Sequence, residues 1–110
     1  MKGITKADWK LFITKVPEWQ ESYMEKFIKE YVSMLTSDKD ASDKFWELDK
    51  RIKKDKKNPG VQMQLEKGDA IFDIVNMINL GVITKDNLAD FSDDLKESVQ
   101  YLLDRNYGKY

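Results

Sequence analysis

Apolar residues along this chain recur at spacings of three and four, the period of an amphipathic helix, and they predict an all-α fold. Cap and turn signals bound six segments, at 6–16, 17–36, 38–56, 61–80, 85–90 and 93–105. The expectation is a compact bundle of about five helices, with 85–90 as a short sixth. No useful run alternates with period two on this reading, so no sheet is expected. At 110 residues the chain has the length of one domain.

The predicted boundaries rest on local chemistry. Thr5 stands as an N-cap before Asp8, and Ile4 with Trp9 forms a hydrophobic staple. Pro17 is read as ending the first helix after Val16 and opening the second, because proline lacks an N–H and suits a first helical turn. From Trp19 to Leu35 the apolar residues cover an arc of roughly 220°, against the stripe of about 100° that a simple surface helix needs. This second helix is therefore either central to the core or shared with a partner.

The stretch Ser37-Asp38-Lys39-Asp40 has N-cap spacing, and the third helix sets Ala41, Phe45, Leu48 and Ile52 on one apolar face. It ends in the turn Lys56-Lys57-Asn58-Pro59-Gly60. The fourth helix, 61–80, is apolar nearly all round in its second half (Ile71, Phe72, Ile74, Val75, Met77 and Ile78), so it is expected to be the most buried. Gly81 suits the left-handed position after its end, with Val82 packing on Met77 in a Schellman cap. Thr84 caps a short turn stapled by Ile83 and Leu88. Ser92 opens the last helix, which turns Leu95, Val99, Leu102 and Leu103 inward; 106–110 reads as a frayed tail.

Composition removes most catalytic schemes. The chain has neither cysteine nor histidine, so disulfides, thiol nucleophiles, Ser–His pairs and His or Cys metal sites are impossible. No catalytic residue, metal ligand or cofactor is nominated, and the protein is read as not an enzyme. The most apolar window, Ala70 to Ile83, is too short for a bilayer, which needs about 20 residues. With no signal-peptide pattern at the start and no cysteine, a soluble cytoplasmic protein with no membrane partner is expected.

Two charged stripes remain. On the third helix Trp46, Lys50, Lys53 and Lys57 group together, clear of the Phe45/Leu48/Ile52 face. An aromatic within a basic stripe can contact a phosphate backbone, although cations near a helix C-terminus also complement its dipole. These four are the candidate partner-binding residues, with Trp46 the candidate interface residue; Trp9 and Trp19 are assigned to the core. On the fourth helix Gln62, Glu66, Asp69, Asp73 and Asn76 share a stripe, read as a solvated face with too few oxygen ligands for a metal. The net charge of -1 gives no global attraction to nucleic acid.

Several short runs resemble a known group: Trp9, Pro17-Glu18-Trp19-Gln20, Lys44-Phe45-Trp46-Glu47-Leu48, Arg51-Ile52-Lys53-Lys54-Asp55, Asn58-Pro59-Gly60-Val61 and Phe91-Ser92-Asp93-Asp94-Leu95-Lys96. Between about Thr5 and Leu103 the chain resembles a family of small uncharacterised proteins from anaerobic Gram-positive bacteria. Members often carry the automatic label "multidrug transporter". The resemblance implies no activity for particular residues, and a transporter label conflicts with the absence of a spanning segment. The functional expectation is a non-catalytic protein-interaction or regulatory module, binding another protein or itself. The alternative is a weak nucleic-acid binder using the basic stripe.

Overall fold

The computed structural model describes residues 3–109. The Thr5 hydroxyl accepts a hydrogen bond from the Asp8 N–H at 3.1 Å and starts α1, Lys6–Leu35. This helix is continuous through Pro17, so the expected break after Val16 does not occur. Pro17 removes the hydrogen bond that its N–H would give to Ile13. Both residues lie on the exposed side of α1, where water can serve the Ile13 carbonyl, while Val16 and Trp19 lock the opposite side into the core. The two expected helices are thus one, 30 residues and about 45 Å long.

After the turn at 36–40, α2 runs Ala41–Asp55 and folds back along the distal half of α1. The expected fourth helix is shorter than its pattern suggested: α3 is Ala70–Asn79, preceded by a single 3-10 turn at Lys67–Asp69. Residues 61–66 are not helical; Val61, Met63 and Leu65 are half-buried while Gln62, Gln64 and Glu66 are exposed. That is period two, the pattern of an extended segment with one face on the core. Gly68, costly within a helix by about 1 kcal/mol, favours a helix start beyond it. Gln62 and Glu66 therefore do not share a helix face with Asp69 and Asp73. A 3-10 turn at Lys85–Leu88 and α4, Asp93–Asp104, complete the chain: four α-helices, with no strand among the described residues.

The core lies at one end of the molecule. Phe12, Val16 and Trp19 of α1 pack with Ile71, Ile74, Val75 and Met77 of α3, with Leu95, Val99 and Leu102 of α4, and with Ile83, Leu88 and Phe91 between them. Trp19 meets Phe12 edge-on at 6.3 Å and Phe91 at 6.2 Å. Gly81, at φ 78°, forms the expected cap, with the Val82 N–H donating to the Met77 carbonyl at 2.8 Å. The end of α4 uses the same device with Asn106 at φ 55°, and the Tyr107 N–H donates to the Leu102 carbonyl at 3.0 Å. The Tyr107 ring also lies tilted against Phe72, 5.2 Å between centroids, and its carbonyl accepts from Asn79 Nδ2 at 2.7 Å, so 106–109 is held against α3 rather than frayed. The expectation for Tyr110 lies outside the described residues.

Beyond Trp19, α1 leaves this core and continues with α2 as a two-helix arm. The molecule measures 53 × 28 × 22 Å, and the long dimension is that of α1.

Candidate interaction surface

The root of the arm is clamped by the Asn58-Pro59-Gly60 turn. The Gly60 N–H donates to Asn58 Oδ1 at 2.7 Å, and Gln20 Nε2 donates to the Pro59 carbonyl at 2.9 Å. Gly60 is buried under the Tyr23 ring; a Cβ there would lie 2.2 Å from a ring carbon. The Tyr23 hydroxyl in turn donates to the Leu80 carbonyl at 3.3 Å, tying the arm to the end of α3.

Midway along the arm, a polar network holds α2 on α1. Arg51 Nε donates to Asp55 Oδ2 at 2.9 Å, and its Nη2 pairs with Glu30. The guanidinium lies over the rings of Phe27 and Tyr31, 5.5 Å from each centroid. The Tyr31 hydroxyl donates to Asp55, which is buried. Burial, with the bond to Asp55, pushes the Tyr31 hydroxyl up to about 12. The hydrogen bond to Glu30 raises the Arg51 guanidinium further. This network is internally satisfied.

Next to it, and sharing Phe27, Tyr31 and Asp55 with it, the arm is apolar and open. Met24, Phe27, Ile28, Tyr31, Ile52 and Val61, with Asp55 and Lys56, line a groove of about 230 Å³ between the two helices. Ile28, Val32 and Leu35 follow one helical stripe and are 55%, 55% and 41% exposed. At the tip Phe45 and Trp46 are 64% and 65% exposed, their rings edge-to-face at 5.0 Å. Phe45 was expected inside, on the face of Leu48 and Ile52. Those two are half-buried against α1, while Phe45 projects from the tip. Lys56 lines the groove on α2, and by helical spacing Lys53 flanks it there and Glu21 and Glu25 flank it on α1; all four are exposed.

The residues nominated from sequence fall on the outer face of α2 and just past its end. Trp46, Lys50 and Lys53 share that face by helical spacing, and all are exposed. Lys53 pairs with Asp49 at 2.9 Å, and Lys57 sits in the turn after the helix, its N–H donating to the Lys54 carbonyl. Sequence reasoning missed Ile28, Val32, Leu35 and Phe45 as surface residues. Their signal was the over-wide apolar arc, which α2 covers only in part.

Elsewhere, Asp73 is the one carboxyl shifted among the described residues. Burial, then Asp69 and Glu66, push it up to about 6, and its Oδ2 is buried without a hydrogen-bond partner. Among the described residues no group of three or more acids could hold a metal ion, and no helix is long and apolar enough to cross a membrane. No known protein family, curated protein or solved structure matches the chain.

Proposed function

We propose that this protein is a non-catalytic interaction module whose α1–α2 arm receives the apolar face of another polypeptide. The carrying observation is the open stripe of Ile28, Val32 and Leu35, continued at the tip by Phe45 and Trp46. Contiguous exposed apolar surface with a charged rim is the usual character of a docking site. Covering it is favourable by roughly 25 cal/mol for each Å² removed from water. The polar network beside the groove holds the two helices together, so little ordering is needed on binding.

The test is affinity capture from the native host, with wild-type protein beside Ile28→Asp and Val32→Asp. Both positions are exposed, so both variants keep the fold. A bound polypeptide lost from both variants supports the reading; capture of the same set by all three contradicts it. The second reading, nucleic-acid binding, draws on Trp46 beside Lys50 and Lys53 on one exposed face. It requires a gel shift that weakens steeply with salt and vanishes when Lys50, Lys53 and Lys57 become Glu.

A further inference from the structure

We infer that the occupant of the arm's face is a second copy of this chain, with α1 of each copy lying on α2 of the other and both arms pointing the same way. This rests on the reading of that face as an interaction surface. Three features support the pairing.

The first is level-by-level apolar matching. Within one arm the groove sets Ile28 beside Ile52, the Arg51–Glu30 pair fixes the register, and the short 36–40 turn brings the Leu35 end of α1 to the Phe45 end of α2. A half-turn about an axis lying in the face, parallel to the arm, exchanges α1 and α2 without changing level. Ile28 then meets Ile52 of the second copy, and Leu35 meets its Phe45. Such self-complementarity is what a two-fold interface requires.

The second is the rim. By helical spacing Glu21 and Glu25 flank the groove residues Met24 and Ile28 on α1, and Lys53, paired with Asp49 of its own helix, flanks Ile52 and Lys56 on α2, all toward the root of the arm. Glu21, Glu25 and Lys56 make no ion pair within the chain among the described residues. The same half-turn brings each acidic rim onto the basic rim of the other copy. A half-turn across the arm would instead lay α1 on α1 and leave the acidic and basic rims unmatched.

The third is charge and size. From Gln20 to Lys57 the arm holds ten basic and nine acidic residues, so two arms do not repel and a polyanion is not specially attracted. From Gln20 to Leu35 the face runs about 24 Å and is two helices, about 20 Å, wide, roughly 480 Å² in projection, the scale of a small, reversible two-fold contact rather than of the roughly 800 Å² per partner of a standard interface.

The test is sedimentation velocity of the full chain from low micromolar concentration to the solubility limit. The expected result is a reversible shift from the 13.0 kDa monomer to twice that mass. Ile28→Asp should weaken association at least about tenfold, as truncation or charging of a buried anchor does, with an unchanged helical spectrum and melt. Glu21→Lys/Glu25→Lys and Lys53→Glu/Lys56→Glu should each self-associate poorly, and an equimolar mixture of the two should recover dimers. A wild-type chain that stays monomeric throughout overturns the proposal, as does a dimer indifferent to Ile28→Asp. A dimer that needs Ile28 but shows no recovery in the mixture overturns the α1-on-α2 arrangement. A monomeric chain that captures a different polypeptide through Ile28 overturns self-pairing and leaves the interaction reading standing. A monomeric chain that captures nothing overturns both.

Discussion

Asp8 and Ser92, 84 positions apart, meet through two hydrogen bonds: the Ser92 N–H donates to Asp8 Oδ1 at 3.0 Å, and the Ser92 hydroxyl donates to Oδ2. Ser92 is also the N-cap of α4, accepting from the Leu95 N–H at 3.2 Å. One buried carboxylate therefore ties the start of α1 to the start of α4. Asp8→Ala leaves the Ser92 N–H without its partner, and it should cost about 2–4 kcal/mol. Asp8→Asn keeps an acceptor and should cost less. Urea melts of the three proteins check the order; an Asp8→Ala protein as stable as wild type would mean that α4 does not depend on this link.

Gly60 is the tightest point at the root of the arm. A Cβ placed 2.2 Å from the Tyr23 ring cannot be accommodated without moving that ring, which also bonds to Leu80 and Asn58. Gly60→Ala should destabilise by about 1–3 kcal/mol, the usual range for overpacking. Combining it with Tyr23→Leu should cost less than the sum of the two single changes, because both act on one contact. Additive losses in a double-mutant cycle would show that Gly60 is needed for another reason.

Asp73 makes stability depend on pH in a defined direction. Its folded value, about 6, lies above the ordinary 3.8. The folded state therefore holds this proton more tightly than the unfolded chain does. The contribution of Asp73 to stability is present below about 3.8 and is lost as pH rises through 6. Asp73→Asn removes the charge and should raise stability at pH 7 by on the order of 1 kcal/mol, after allowance for partial exposure. The gain should disappear near pH 4. Melting temperatures of both proteins from pH 4 to 8 test this; an Asn variant that is less stable at pH 7 than wild type contradicts it.

The parts of the fold legible in the sequence are those set by short-range chemistry. Thr5, Gly81, Thr84 and Ser92 each act within about one turn of themselves, and each caps as its neighbours imply. Pro17 misled because its effect depends on where it faces: on the wet side of a helix whose other side is locked by Val16 and Trp19, the lost hydrogen bond is tolerable. The alternation of Val61, Met63 and Leu65 with Gln62, Gln64 and Glu66 was legible and was overridden by the helical period of the residues that follow. The arm's open face was half legible. The arc from Trp19 to Leu35 announced more apolar surface than one helix needs, but not which part α2 would leave uncovered. That depends on α1 running past the core, a tertiary fact. Phe45 matched the inward face of its helix and still projects: it lies in the first turn or so of α2, near the tip where α1 ends at Leu35, and is 64% exposed.

The account's central claim is that the arm's apolar face is open in the lone chain and covered when the protein associates. Hydroxyl-radical footprinting, read by mass spectrometry at concentrations below and above association, tests this side chain by side chain. Ile28, Leu35 and Phe45 should oxidise readily in dilute protein and become protected when it is concentrated. Leu80 and Tyr101, exposed elsewhere on the surface, should label equally at both concentrations. Protection of Leu80 and Tyr101 with the arm unchanged would contradict the claim, as would equal labelling of every site in a sample that sedimentation shows to be associated.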